Sequence, residues 1–175
     1  MNKRIIILIL CLFTITLTAC KHDKISEDYP SLEGKNPIVK YTNVDDVIKK
    51  INGDYTGIIV FGFKKCPWCQ ASISYVDEIA KEKKYKEVLY LDIKDMRDNT
   101  ESANHEKYLM IYEKIKEEIG NPEKILAPTV IVLKDGTITG YHVATVTSHV
   151  IVDGNLPPMT DEQINELKEI YRNIF

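Results

Sequence analysis

Two cysteines stand three positions apart in the stretch Cys66-Pro67-Trp68-Cys69, near the middle of this 175-residue chain. A pair at this spacing can supply half of a zinc site, form a structural disulfide, or exchange electrons with a disulfide in another protein. The remaining ligand residues, the compartment and the elements that hold the pair decide among these three kinds of chemistry.

The other possible ligands argue against a metal site. A structural zinc site needs four ligands, and the chain has no second cysteine pair at this spacing. The histidines are scattered without ligand spacing, at His22, His105, His142 and His149. A structural disulfide that closes so short a loop removes little chain entropy and stabilises weakly. Redox exchange is the chemistry that we favour, with no metal and no cofactor beyond a Cys66–Cys69 disulfide.

The elements on either side of the pair predict a reactive thiol at Cys66. The run TGIIVFGF, residues 56–63, is apolar on both faces and predicts a buried central strand. Apolar residues at helical spacing follow the pair, so a helix begins at or just after Cys66. A thiol at a helix N-terminus faces unpaired N–H groups and the positive end of the helix dipole, which lower its pKa.

Neighbouring residues support the same division of roles. Pro67 suits the first helical position, because its missing N–H would be unpaired there in any case. Lys64 and Lys65 add positive charge beside the first thiol. We therefore expect Cys66 to be the nucleophile and Cys69, one turn into the helix, to be the resolving thiol.

The rest of the chain alternates between strand and helix patterns, which predicts an α/β fold. Asp135-Gly136 is a strong hairpin-turn signal between two β-rich runs, and Thr160 with Gln163 predicts the capped start of a last helix. The order is strand, helix, strand, cysteine-pair helix, strand, helix, strand, strand, helix, over 38–41, 44–51, 56–63, from 66, 88–93, 102–119, 130–133, 138–143 and from 160. This order predicts a mixed central sheet with helices on both faces.

The N-terminus has the layout of a secretory signal. Lys3 and Arg4 precede an uncharged, mostly apolar run, Ile5–Ala19, which is shorter than a membrane-spanning helix requires. The end of this run, Leu17-Thr18-Ala19-Cys20, resembles a bacterial lipobox, in which the cysteine begins the mature chain and carries lipid. An ordinary secretory signal and an uncleaved short anchor are the alternatives.

The lipobox predicts three parts of the chain. Residues 1–19 are a signal peptide, residues 20–37 are the lipidated Cys20 with a flexible tether, and residues 38–175 are one domain. The location is then extracytoplasmic, at the cell membrane. Nucleic acid is not an expected partner, because the net charge is −3 and no basic stripe is present.

The chain resembles the thioredoxin superfamily over residues 38–175. The resemblance depends on the cysteine pair after a buried strand, on Pro128 before a β-rich run, and on the Lys-Asp-Gly turn at 134–136. It implies a thioredoxin-like fold in which Pro128 is cis and lies against the redox pair. It also implies that the backbone of Ala127 faces the substrate. Within the superfamily, the chain is most similar to extracytoplasmic thioredoxin-like lipoproteins of the bacteriocin transport accessory type.

Three features depart from the family pattern. Val60 stands where thioredoxins place a buried aspartate, about six residues before the first cysteine. The Pro67-Trp68 dipeptide resembles the Pro-Tyr of glutaredoxins, and Trp68 either stacks on a bound peptide or anchors the motif in its own fold. Residues 94–127 and 146–159 exceed the compact family members, and we interpret both as packed surface elaborations rather than walls of a substrate groove.

These observations predict a membrane-anchored thiol–disulfide oxidoreductase. Its substrates are expected to be disulfides and thiols of exported proteins, and we favour the reductase direction, in which a membrane electron-relay protein recharges the pair. The alternatives are a disulfide-forming oxidase, a non-enzymatic accessory or binding lipoprotein with the same fold, and a metal carrier that uses the two thiols.

Overall fold

The computed structural model describes residues 24–120 and 123–175. The predicted signal peptide, residues 1–19, and the predicted lipidation site at Cys20 lie outside the described residues.

A five-stranded mixed sheet forms the centre of the fold. Its strands are β1 (Val39–Tyr41), β2 (Gly57–Gly62), β3 (Val88–Asp92), β4 (Thr129–Lys134) and β5 (Thr137–Val143). Their order across the sheet is β1-β3-β2-β4-β5, with β3 parallel to β1 and β2 and with β4 antiparallel to β2 and β5. The α/β, thioredoxin-like fold that the sequence predicts is confirmed by this arrangement.

Helices cover both faces of the sheet. They are α1 (Lys24–Asp28), a 3₁₀ helix (Pro30–Leu32), α2 (Val44–Ile51), α3 (Pro67–Glu82), α4 (Lys94–Asp98), α5 (His105–Ile115) and α6 (Asp161–Ile174). Thr160 and Gln163 form the predicted capping box at the start of α6. The helix predicted over 102–119 is shorter than expected, and α4 is an element that the periodicity did not indicate.

Alternation along the strands divides the core into two clusters, because successive side chains of a strand point to opposite faces. Val60 of β2 joins Tyr90 of β3 in a cluster under α1, α3 and α6. Phe61 of β2 joins Leu91 of β3 in a cluster under α2 and α5. The β2 strand, buried at all six positions, therefore holds the two layers together.

The segment before β1 corrects the prediction of a flexible tether over residues 20–37. Ile25, Tyr29 and Leu32 are completely buried in the same cluster as Val60, and the 3₁₀ helix packs against α3. Their spacing of four and three residues is typical of one helical face, although the chain leaves helical conformation at Tyr29, between α1 and the 3₁₀ helix. This short apolar stripe in a polar stretch was the signal that the tether interpretation overlooked, and the domain extends back at least to Ile25.

The two long connections differ in how closely they pack: 94–127 contributes buried side chains to the core, whereas 146–159 is mostly exposed and is held by the buried Val146 and His149. Residues 94–127 contain α4 and α5, and α5 packs against α2. In residues 146–159, the buried His149 bridges Thr145 Oγ1 at 2.8 Å and the Pro157 carbonyl at 2.7 Å. Within residues 24–120 and 123–175, no helix has the length and apolar character needed to cross a membrane.

Leu32→Ala tests whether the N-terminal segment belongs to the folded domain. Removing a fully buried leucine side chain should lower the free energy of unfolding by about 3 kcal/mol. Urea unfolding of the full chain measures the change, and Glu33→Ala, at an exposed position next to it, is the matched control. Equal unfolding curves for Leu32→Ala and the unsubstituted protein would restore the tether interpretation.

Candidate active site

The cysteine pair lies where β2 passes into α3. Cys66 is the N-terminal cap of α3, with an extended backbone, and its Sγ accepts a hydrogen bond from the Cys69 N–H at 3.4 Å. Pro67 begins the helix, as its lack of an N–H favours. Both cysteines are free thiols, and both are almost completely buried. The strand and the helix thus place two sulfur atoms at one helix N-terminus.

The environment of Cys66 favours its thiolate. The pKa of Cys66 is lowered to about 7, first because the Cys69 thiol donates a hydrogen bond to it. Burial opposes this effect, while the backbone N–H groups of Cys69 and Trp68 and the positive charge of Arg97 add to it. The lowered pKa increases the share of Cys66 thiolate at neutral pH, and the thiolate is the form that attacks a disulfide.

The pKa of Cys69 is shifted in the opposite direction. Its pKa is raised, first because its thiol proton is held in the hydrogen bond to Cys66 and then because of burial. The two sulfur atoms therefore titrate as one coupled pair, with the first proton leaving Cys66. Val60 lies in the same core cluster as both cysteines and is buried, so the aspartate position of the family is apolar here.

The loop that contains Leu126, Ala127 and Pro128, here called the proline loop, lies directly against Cys66 Sγ. The Ala127–Pro128 peptide bond is cis, in the form that the family resemblance implies. The Cys66 thiol, when protonated, donates a hydrogen bond to the Ala127 carbonyl at 3.2 Å. Pro128 is buried, whereas Ala127 is half-buried and its neighbour Leu126 is 38% exposed. Main chain and an apolar side chain are thus accessible beside the thiol.

Charged residues near the pair are arranged differently from the prediction. Lys64 and Lys65 are exposed, and Lys64 forms an ion pair with Asp28 at 3.1 Å instead of facing the thiol. The cation that favours the Cys66 thiolate is Arg97 of α4, which sequence reasoning missed. No local signal identifies Arg97, because it lies 31 positions after Cys66 and only the fold brings it near the thiol.

Arg97 also holds the residue before the proline loop in place. Its side chain is 12% exposed, and its Nη1 donates to the Ile125 carbonyl at 3.2 Å. Its guanidinium lies 5.4 Å from the centroid of the Phe63 ring, within cation–π range. The Tyr108 hydroxyl accepts from the Ile125 N–H at 3.0 Å. Two side chains from the connection 94–127 therefore hold the residue that precedes the loop.

Trp68 is partly packed into its own fold. Its ring is half-buried and packs against the core cluster beneath α3, while its carbonyl accepts from Ser72 Oγ at 2.8 Å. Pro67, beside it, is exposed. The ring anchors the motif and still leaves part of its surface beside the cysteine pair.

Within the described residues, no cluster of three or more histidine, cysteine, aspartate or glutamate side chains is placed to hold a metal ion. Two thiols and no third ligand in reach supply at most half of a tetrahedral zinc site. The arrangement is suited to sulfur exchange.

No protein-family model matches the chain, and no curated protein matches it. Among solved structures, the chain is similar to mitochondrial thioredoxin 3 from Saccharomyces cerevisiae in its oxidised form, at 14% identity over 61% of this chain and 83% of that chain, with a TM-score of 0.39. It is also similar to oxidised thioredoxin O1 from Arabidopsis thaliana, at 16% identity over 63% and 88% of the two chains, with a TM-score of 0.41.

A third similar structure is thioredoxin F from spinach chloroplast in its short form, at 22% identity over 61% of this chain and 80% of that chain, with a TM-score of 0.37. Likenesses of this size carry no weight for function. The chemistry follows from the distances and charges around Cys66 and Cys69.

Arg97→Gln tests the source of the positive charge at the site. The pKa of Cys66 should rise, because the guanidinium favours the thiolate, and alkylation by iodoacetamide at pH 7 should slow by about threefold. The rate is measured against pH in the full chain carrying Cys11→Ser and Cys20→Ser. Lys65→Gln is the matched control, and a shift in it equal to that of Arg97→Gln would contradict the assignment.

Proposed function

We propose that this protein is an extracytoplasmic, membrane-anchored thiol–disulfide oxidoreductase that acts on exported proteins through Cys66 and Cys69. The observation that carries the proposal is the placement of two free thiols at one helix N-terminus, with Cys66 Sγ accepting from the Cys69 N–H and lying 3.2 Å from the Ala127 carbonyl. The pKa values support the same division of roles, because that of Cys66 is lowered and that of Cys69 is raised. Two-step disulfide exchange requires a reactive first thiol and a second thiol within reach of it.

The first step is attack by the Cys66 thiolate on a disulfide of the target protein. A bond forms between Cys66 Sγ and one target sulfur, and the other target sulfur leaves as a thiolate that takes up a proton. In the second step, Cys69 loses its proton and attacks Cys66 Sγ. The target's remaining sulfur then leaves and is protonated, so two electrons pass to the target and the Cys66–Cys69 disulfide remains.

The surface around Cys66 supports a peptide substrate. The half-buried Ala127 offers main chain beside the thiol, and Leu126, Pro67 and part of the Trp68 ring add exposed apolar surface. An extended segment around a target disulfide could pair with the backbone at Ala127 and pack on this apolar rim. Pro128 shapes the loop from its buried position.

The proposal also covers the location of the protein, the direction of exchange and the redox partner, and none of these depends on the described residues alone. The extracytoplasmic location and the lipid anchor rest on residues 1–20. Mass analysis of the protein from cells tests the anchor, and a chain without lipid on Cys20 would contradict it. We favour reduction of exported protein disulfides, with a membrane electron-relay protein returning the pair to the dithiol form. The same residues run in reverse would form disulfides.

Single cysteine substitutions test the two chemical roles. Reduction of insulin by the full chain should fall to the uncatalysed rate in Cys66→Ser, because the nucleophile is gone. Cys69→Ser should instead accumulate a mixed disulfide with insulin, visible by mass, because the resolving thiol is gone. The control is Cys11→Ser with Cys20→Ser, which should retain full activity.

The same assay separates the enzyme from a non-catalytic accessory or binding protein. An accessory protein that uses the fold as a surface would give equal insulin reduction in Cys66→Ser and in the unsubstituted chain. That result would end the oxidoreductase proposal.

The reduction potential of the Cys66–Cys69 pair tests the direction. We expect a value near about −270 mV, typical of a reductase, when the pair is equilibrated against defined dithiol buffers and its thiols are counted by mass. A value near about −120 mV would contradict the reductase direction and favour an oxidant that forms disulfides in exported proteins.

A further inference from the structure

A pair of buried tyrosine hydroxyls lies beneath the resolving thiol. Tyr90 belongs to β3, and Tyr29 follows α1 directly, 61 positions earlier in the chain. Both side chains are completely buried, their hydroxyls are hydrogen-bonded to each other, and their ring centroids are 5.4 Å apart. The N-terminal segment thus reaches the redox site through Tyr29.

The Tyr90 hydroxyl also lies beside Cys69 Sγ, and both residues belong to the same buried cluster. Tyr90 pairs with Val60 of β2, and Gly62 lies two positions further along that strand. A Cβ atom at Gly62 would lie 2.9 Å from Cys69 Sγ and would also collide with the Tyr90 hydroxyl. The missing side chain of Gly62 therefore leaves the space in which the hydroxyl and the sulfur meet.

Either hydroxyl can be the donor in the Tyr29–Tyr90 hydrogen bond. Each phenol carries one proton, so when Tyr29 donates to the Tyr90 oxygen, the Tyr90 proton is available for the nearby sulfur. Burial raises the pKa of both tyrosines, which keeps them protonated. The hydroxyl pair can then supply hydrogen bonds to an anion without ionising itself.

We propose that Tyr90, oriented by Tyr29, donates the hydrogen bond that stabilises the Cys69 thiolate during the resolving step. The inference rests on the proposed exchange reaction and assigns to Tyr90 a catalytic role and to Tyr29 a positioning role. The step is balanced, because the proton that Cys69 releases equals the one taken up by the departing target thiolate, and neither tyrosine gains or loses a proton.

The hydroxyl pair compensates for the absence of a carboxylate at Val60. Once Cys66 is bound to a target, Cys69 no longer has a thiolate to which it can donate, and it must itself ionise at a site that is 1% exposed. A hydrogen bond from a neutral hydroxyl favours a buried thiolate, and donation from Tyr29 into Tyr90 polarises that hydroxyl further. No buried carboxylate is needed to ionise Cys69 by this route.

The test separates the two chemical steps. Reduced full chain with Cys11→Ser and Cys20→Ser is mixed with a bis(nitrobenzoate) disulfide, whose released thiolate is coloured. The first release reports attack by Cys66, and the second reports attack by Cys69 on the mixed disulfide. Rates of both are recorded against pH for the parent, Tyr90→Phe and Tyr29→Phe.

We expect the second release to slow by about tenfold at pH 7 in Tyr90→Phe, and by less in Tyr29→Phe. Its pH profile should move to higher pH in both variants, because a thiolate that has lost a donor forms less readily. The first release should change by less than about twofold. Tyr41→Phe is the matched control, because its ring also packs on Tyr90 while its hydroxyl donates to Asp28 at 2.8 Å.

Three results would overturn the inference. The first is a second-release profile in Tyr90→Phe that superimposes on the parent's. The second is a second release that slows as much in Tyr41→Phe as in Tyr90→Phe, which would show an effect of packing rather than of the hydroxyl. The third is an unchanged second-release profile in Tyr29→Phe, which would show that Tyr29 does not position Tyr90. If Tyr90→Phe does not fold, Tyr29→Phe decides alone. Loss of the first release in the parent would instead contradict the proposed function.

Discussion

The Cys66 and Cys69 sulfur atoms share one negative charge through a hydrogen bond, and the properties of the site depend on it. Cys66 and Cys69 meet at the N-terminus of α3, where the Cys69 thiol donates to Cys66 and two backbone N–H groups add to it. The fall in the pKa of one thiol and the rise in the other have the same origin, because both describe where a single proton is held. The proposed order of action, Cys66 before Cys69, follows from that hydrogen bond.

Two segments outside the central sheet also contribute side chains around this charge, the connection after β3 and the segment before β1. Arg97, from the long connection after β3, supplies a positive charge and holds the residue before the proline loop. Tyr29, from the segment before β1, joins Tyr90 on the other side of the pair. The interpretation of residues 94–127 as a packed surface elaboration is therefore incomplete, because Arg97 also acts on the site. The interpretation of the segment before β1 as a flexible tether is wrong from Ile25 onwards.

Burial strengthens each of these contacts. Both thiols and both tyrosines lie almost completely out of water, where hydrogen bonds and charges act through a lower effective dielectric than at the surface. The proline loop is also held in place, by Arg97 and Tyr108 on one side of Ala127 and by the bond from the Ala144 N–H to the Pro128 carbonyl at 2.8 Å on the other. Little reorganisation is then needed when a substrate disulfide arrives.

Features that depend on neighbouring residues can be predicted from the amino-acid sequence alone. The apolar run at 56–63, the helical spacing after Cys66 and the Thr160 capping box predicted their elements, because strand alternation, helix periodicity and capping act over a few positions. The position of the cysteine pair at a helix N-terminus is local in the same sense. For that reason the residues around the pair are enough to predict Cys66 as the nucleophile and Cys69 as the resolving thiol.

The distant side chains that surround the pair are set by the tertiary fold instead. Arg97 reaches Cys66 through the placement of α4, and Tyr29 reaches Tyr90 because α1 packs beside β1, which pairs with β3. Sheet order and burial bring these groups together, and neither leaves a pattern within a short stretch of sequence. A three-residue apolar stripe such as Ile25, Tyr29 and Leu32 acquires its meaning only from the core that it enters, because isolated short helices are not stable in water.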